Sequence, residues 1–241
     1  MISTDEEKAQ VLTTTFFPSL PPATSPTQET IEHAWSTHRP PGPEECEKVT
    51  PREILSVIQS MRIDAAPGVD GIPVICLKKC CGILLPWLMR IFGGSFAVGY
   101  FPQVWRTAKV LALQKLGKAS YATPRSYRPI SLLSNIGKLL ETIVNRRLMR
   151  HMESRCLLSP HQFGFRAGRE VMRACTNLVE DVTTAFCRRL RVQAVALDIQ
   201  AAYDSVWKAG LLEKFVAKGG EWNTYLMDPE FPIREAQYPR D

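Results

Sequence analysis

Val192 to Trp207 reads V-Q-A-V-A-L-D-I-Q-A-A-Y-D-S-V-W, and this stretch restricts the fold more than any other. A nearly unbroken apolar run ends on one carboxylate, Asp198, with an aromatic, Tyr203, five positions later. Such a run, flanked by polar residues, predicts a strand buried on both faces. An ionised Asp at its end is too costly to bury bare, so it needs a cation or hydrogen-bond donors. Standing alone, the same Asp reads as a cap for the helix that follows. The segments upstream decide between the two.

The chain has 241 residues, enough for one large domain or for a domain with extensions. Its net charge of +6 is unevenly placed. Met1 to Ser60 holds nine acidic and four basic residues, whereas Phe101 to Cys175 holds fourteen Lys and Arg against three Glu. A central basic block fits a polyanionic partner, nucleic acid being the commonest, or else a solvated surface. The seven cysteines form no CxxC pair and no zinc-knuckle spacing, so no zinc site is expected. They read as buried free thiols in a reducing compartment. Asp5, Glu6 and Glu7 stand where a secretion signal would be basic and then apolar, and an intracellular protein is expected. Ile83 to Val98 is the most apolar stretch, but Pro86, Arg90 and paired glycines interrupt it, and no membrane span is expected.

Residues 1–49 form a Pro-rich extension, with Phe17 to Glu45 rich in Pro, Thr and Ser and read as an extended connector. A helix should start at Thr50, where T-P-R-E supplies a capping box and an early proline, with Ile54, Val57, Ile58 and Met61 on its apolar face. After the Ala66–Gly71 turn comes a mostly buried helix carrying Leu84, Leu85, Leu88, Ile91 and Phe92. Lys109 to Lys115 reads as a strand and Lys115 to Arg128 as a basic, hairpin-like loop. Ser134 should cap a long helix with Ile136, Leu139, Leu140, Ile143, Val144 and Leu148 inward. Another helix should cover Glu170 to Arg188, with Val171, Cys175, Leu178, Val182 and Phe186 inward. A short helix with Leu211, Leu212, Phe215 and Val216 stops at Gly219-Gly220, and residues 221–241 read as an irregular tail.

Five segments stand in a familiar order: Ala66-Pro-Gly-Val-Asp-Gly-Ile-Pro73, Phe101-Pro-x-x-Trp105, Tyr127-Arg-Pro-Ile-Ser-Leu-Leu-Ser134, Gln162-Phe-Gly-Phe-Arg-x-Gly-Arg169 and Leu197-Asp-Ile-x-x-Ala-Tyr-Asp204. Together they resemble the reverse transcriptase of non-LTR (LINE-type) retrotransposons, in its fingers and first palm motif. The likeness runs from about Thr14 to Gly220. It implies an RNA-directed DNA polymerase domain over residues 50–220 and an α/β (α+β) architecture. Helices would surround a small antiparallel sheet of polymerase fingers and an incomplete palm. Group II intron maturases and bacterial retron polymerases are lesser alternatives within the same enzyme class.

The resemblance also assigns roles. Polymerisation of this kind commonly uses two Mg²⁺ ions, which favour converging hard-oxygen ligands. Asp198 matches the first metal-binding carboxylate, with the Ile199 carbonyl as a backbone ligand. Tyr203 matches the aromatic beneath the nucleotide sugar. Arg128 and Lys115 match the cations that grip the triphosphate, a task suited to a guanidinium fork. Gln162, Gly164, Arg166 and Arg169 match positions along the template path. Implied partners are an RNA template, a DNA primer and deoxynucleoside triphosphates. The chain departs from the family at Ala112-Leu-Gln-Lys-Leu-Gly-Lys118, at Glu170-Val171 after Gly-Arg, and in having no adjacent Asp pair. It is therefore expected to be a truncated or frameshifted copy, or one with a misplaced exon boundary, and inactive alone. The alternative is a non-catalytic nucleic-acid-binding remnant of a retroelement.

Overall fold

The computed structural model describes residues 4–16, 48–199, 206, 210–211, 214 and 236–237. They cluster into two compact units, Met1–Arg147 with Val206–Asp241, and Leu148–Ser205. In the first lie helices α1 (Asp5–Phe16), α2 (Pro51–Ser60), α3 (Val74–Lys79), α4 (Cys81–Val98) and α5 (Gln103–Arg106). Strands β1 (Ala108–Gln114) and β2 (Tyr127–Leu132) follow, and then α6 (Asn135–Ser154), whose last turns belong to the second unit. The second unit also holds α7 (Val171–Cys187), and a two-residue strand β3 (Ala236–Gln237) returns to the first.

Helix α2 starts where T-P-R-E places it. The Thr50 hydroxyl accepts from the Glu53 N–H at 3.3 Å, and the Glu53 carboxylate accepts from the Thr50 N–H at 2.9 Å. The capped helix buries Ile54, Val57 and Ile58, while Met61 is half-buried. Its closest polar partner comes from α6. The Arg147 guanidinium, 2% exposed, grips both oxygens of Glu53 at 2.8 and 2.9 Å, donates to the Lys48 carbonyl and lies 4.8 Å from the Phe96 ring centre. Burial alone would raise the Glu53 pKa, but the Arg147 and Thr50 hydrogen bonds and the Arg147 charge hold it at about 2.

The expected single helix after the Ala66–Gly71 turn is two, α3 and α4, broken at Cys80. Helix α4 is nonetheless continuous through Pro86 and the paired glycines. With a mean hydropathy of 1.5 it is long and apolar enough, by length and composition, to cross a membrane. Here one of its faces, Leu88, Phe92, Ser95 and Phe96, is buried in the core with α2 and α3 alongside. Leu84 and Leu85 are half-buried and Ile91 is exposed, so "mostly buried" is corrected to one buried face.

Two close approaches lock the motif segments together. A Cβ on Gly68 would stand 2.4 Å from the Ser134 nitrogen and 2.5 Å from the Leu133 carbonyl carbon, so only glycine lets the turn seat against the end of β2. The Asn135 amide then donates to the Ile72 carbonyl at 2.7 Å. Likewise a Cβ on Gly137 would come 2.8 Å from that of Trp105, whose ring meets Phe92 and Phe101 edge-on at 5.9 Å. Ser134 caps α6 by accepting from the Ile136 and Gly137 N–H groups. Leu139, Leu140, Ile143 and Val144 fill the core beneath it, as the spacing predicts, with Ile136 and Leu148 half-buried.

The sheet has the order β2-β1-β3. β1 and β2 pair antiparallel with Leu113 opposite Arg128, and β3 adds a parallel edge at Ala108 and Lys109.

In the second unit three expectations are corrected. Helix α7 has the expected bounds, but Val171, Cys175, Leu178 and Phe186 are exposed and Val182 only half-buried. Residues 191–199 form no strand and are exposed throughout, Leu197 to 90%. A central strand needs ladders on both edges, and no described strand lies beside this run. The third correction spans both units. Cys76, Cys80, Cys156, Cys175 and Cys187 are exposed and Cys81 partly so, because they fall on helix faces and ends that the core does not cover. The Pro-rich connector, Cys46, most of the short helix after Asp204, and most of the tail lie outside the described residues.

Candidate active site

Lys115 and Arg128, expected to grip the triphosphate, sit on the β1–β2 hairpin. Lys115 N–H donates to the Ser126 carbonyl at 2.8 Å and so prolongs the ladder by one residue. With Leu113 opposite Arg128, strand alternation turns Lys115 and Arg128 to the same face of the hairpin. The loop between them is folded on itself. Tyr121 O–H donates to the Lys115 carbonyl at 2.9 Å, Tyr127 O–H to the Tyr121 carbonyl at 3.2 Å, and Ser126 Oγ–H to the Ser120 carbonyl at 2.7 Å. The Tyr121 and Tyr127 rings meet edge-on at 6.1 Å. The Lys115 ammonium donates to the Arg125 carbonyl at 2.7 Å, a neutral partner that leaves its charge uncompensated. Arg128 is exposed, and among the described residues no hydrogen bond or ion pair holds its guanidinium.

Gln162, Gly164, Arg166 and Arg169 lie together in the loop between α6 and α7 of the second unit. Arg166, 6% exposed, makes a bidentate pair with Glu153 at 2.7 and 2.6 Å and donates to the Ser159 carbonyl at 2.6 Å. Its hydrogen bond holds the Glu153 carboxyl below the usual range. Arg169 donates to the Pro160 carbonyl at 2.7 Å and lies 5.6 Å from the Phe163 ring centre. Both guanidinium groups thus brace the loop from within. Gly164 has open space where a Cβ would be, and its carbonyl accepts from the Gln162 amide at 3.5 Å. Phe165, at φ 58° and 89% exposed, projects from the same bend.

Asp198 and Ile199 are in the second unit and exposed. Tyr203 lies outside the described residues. Magnesium needs several oxygen ligands that converge. Asp198 supplies one carboxylate beside the Ile199 carbonyl, but among the described residues no three His, Cys, Asp or Glu side chains come together as ligands. That set does not amount to a magnesium site. The site residues therefore divide: Lys115 and Arg128 share one unit, and Gln162, Gly164, Arg166, Arg169, Asp198 and Ile199 share the other.

Sequence reasoning did not single out Tyr121 or Glu153. Tyr121 closes the hairpin that carries Arg128, and its signal was a pair of tyrosines flanking a Ser-Pro-rich turn. Glu153 lies thirteen residues from its Arg166 partner, and no local pattern pairs them.

Residues 115–238 match the profile of the reverse transcriptase (RNA-dependent DNA polymerase) family. The chain is 36% identical, over 76% of its length and 20% of the relative's, to the probable RNA-directed DNA polymerase from transposon BS of Drosophila melanogaster. It is 33% identical to that from transposon X-element of the same fly, over 86% of this chain and 23% of the relative. The RNA-directed DNA polymerase from mobile element jockey, also of that fly, is 32% identical over 69% and 18%. The chain thus spans about a fifth of the length of these curated relatives. It belongs to the reverse transcriptase (RNA-dependent DNA polymerase) family, in the group of the non-LTR retrotransposons.

Proposed function

We propose that this chain is the fingers and opening palm segment, over residues 50–220, of an RNA-directed DNA polymerase, and that its own contribution is to bind nucleotide and template. The observation that carries the reading is Arg128, an exposed, unpaired guanidinium on a hairpin braced by Tyr121, Tyr127 and Ser126. The braced hairpin fixes the backbone from which this free guanidinium reaches, and bidentate contacts to phosphate oxygens are strong. Lys115 adds a second cation on the same face. In the second unit the loop braced by Arg166 and Arg169 presents Gln162 and the bare backbone of Gly164 to the template. The resemblance gives Tyr203, outside the described residues, the role of the aromatic beneath the deoxynucleotide sugar.

Asp198, with the Ile199 carbonyl, is one hard-oxygen ligand toward Mg²⁺ that the described residues do not complete. For the chain alone the reading is therefore binding without synthesis, an expectation that primer extension tests. The exposed basic hairpin also supports a second reading, a non-catalytic nucleic-acid-binding remnant, which differs in having no use for deoxynucleotides. Titration of the purified chain with a fluorescent deoxynucleoside triphosphate separates the two. The polymerase reading expects saturable binding that Arg128→Ala weakens about tenfold, the loss of one charge-assisted bidentate contact. Primer extension on an RNA template should give no product. Extension that survives Asp198→Ala would remove Asp198 from the mechanism, and nucleotide binding indifferent to Arg128→Ala would remove the hairpin.

A further inference from the structure

A second cationic surface lies on unit-one helices that the nucleotide hairpin does not use. Arg146 of α6 donates from Nη1 to the Ser56 hydroxyl at 2.9 Å and from Nη2 to the Ser60 hydroxyl at 3.0 Å. Both hydroxyls are themselves occupied as donors, Ser56 to the Glu53 carbonyl and Ser60 to the Val57 carbonyl, at 2.9 and 2.8 Å. The fork is thus held by two neutral oxygens and keeps its full charge. Arg52, Ser56 and Ser60 recur every fourth residue and share one face of α2, and all three are exposed, as is Arg146. The carboxylate closest in sequence, Glu53, has both oxygens taken by the buried Arg147. Among the described residues the face therefore carries two cations and no anion paired with either.

We propose that Arg146 and Arg52, on this Ser56–Ser60 face, form a phosphodiester-binding site for a nucleic-acid strand. The site is additional to the hairpin and the template loop, and it rests on the nucleic-acid reading above. Fixing an arginine costs rotamer freedom, and here part of that freedom is lost before any ligand arrives. A pre-set guanidinium edge matches phosphate oxygens and reads charge and geometry rather than base sequence. Arg147, committed to Glu53 and the Lys48 carbonyl, takes no part.

The test is fluorescence anisotropy of the purified chain with end-labelled single-stranded RNA and with an RNA/DNA hybrid, across a salt series. Arg146→Gln should weaken binding about five- to tenfold and lower the slope of log K against log salt by about one, the loss of one phosphate contact. Arg52→Gln should act in the same direction and, on an exposed side chain in the first turn, leaves the fold intact if Arg146→Gln does not. The double variant Ser56→Ala/Ser60→Ala frees the fork without removing charge. It should weaken binding about two- to threefold, from the restored side-chain freedom, with the slope unchanged. Parent-like affinity and slope in both Arg146→Gln and Arg52→Gln would overturn the site, leaving Arg146 as a helix-to-helix contact. A chain that binds no RNA at any salt sinks the nucleic-acid reading and this site together. If Arg128→Ala weakens binding while the two glutamine variants do not, this site alone falls. Displacement of RNA by polyglutamate at equal charge also overturns it, because the site would then be a general anion surface.

Discussion

Glu53 does three things at once: it completes the cap of α2, accepts from the Thr50 backbone, and neutralises an arginine that is 2% exposed. Arg147 invites a nucleic-acid role on composition, since it sits in a run with Arg146 and Arg150, yet its guanidinium is wholly committed inside the protein. The pair is asymmetric, with Glu53 about a fifth exposed. Its carboxyl drops from an ordinary 4.5 to about 2 on folding. A depressed carboxyl adds stability above its unfolded pKa and loses it as pH falls through the folded one. The contribution should therefore be complete above about pH 5 and mostly gone near pH 2. Discounted for the exposed edge, it amounts to roughly 2 kcal/mol. Urea unfolding of the parent at pH 7, 4 and 3 should show that decline. Glu53→Gln should lose about 3 kcal/mol at pH 7, because Arg147 is left buried without its counter-charge, and should show a shallower decline below pH 5. Parallel declines in parent and variant would mean that the pair carries no pH-linked stability.

At the scale of elements, two N-termini carry the same local signal and differ in what the helix is for. Thr50 caps α2, whose Ile54, Val57 and Ile58 are in the core. Thr4 caps α1 by the same reciprocal bonds with Glu7, yet α1 buries none of its residues. Thr50→Ala should cost about 1–2 kcal/mol of global stability, while Thr4→Ala should reduce helical signal slightly and leave the denaturation midpoint in place. Equal shifts from both would mean that α1 is docked in solution. The contrast marks where sequence is readable. T-P-R-E, the apolar stripe of α6, the hairpin at Lys115 to Arg128 and the bounds of α7 all follow from residues within a few positions of one another. What local pattern does not encode is a partner. The apolar run ending at Asp198 has a strand's composition and no ladder among the described residues, and the α7 stripe has a core's spacing without being buried. The break between α3 and α4 at Cys80 comes straight after Lys78-Lys79, a basic last turn whose local sign of a helix end the apolar stripe of Leu84 to Phe92 outweighed. Among the candidate site residues, the place of Arg128 on the hairpin was readable because Tyr-Arg-Pro is local, whereas the Glu153 clasp on Arg166 depends on a loop closing over thirteen residues.

Across the whole molecule, burial is unevenly shared. The large buried side chains, Phe92, Phe96, Phe101, Leu77, Leu139, Leu140 and Ile143 among them, all lie in the first unit. The described residues of the second unit include none in the buried class. An isolated helix of about 15 residues is marginal in water, so α7, at 17 residues, has little beyond its own ladder to hold it. Local opening free energies should follow that division, near the global value for α2 and the buried half of α6 and close to zero for α7. Hydrogen–deuterium exchange at peptide resolution reads this directly. Peptides from residues 51–60 and 135–147 should exchange at least about 100-fold more slowly than those from 171–187, a gap of roughly 3 kcal/mol in opening free energy. The exchange of 191–199, irregular and exposed, should match an unstructured peptide. Should α7 prove as protected as α2 in the chain alone, its Val171, Leu178 and Phe186 face must be covered in solution. The second unit would then be a folded body in its own right, and the run to Asp198 would follow a supported helix rather than a fraying one.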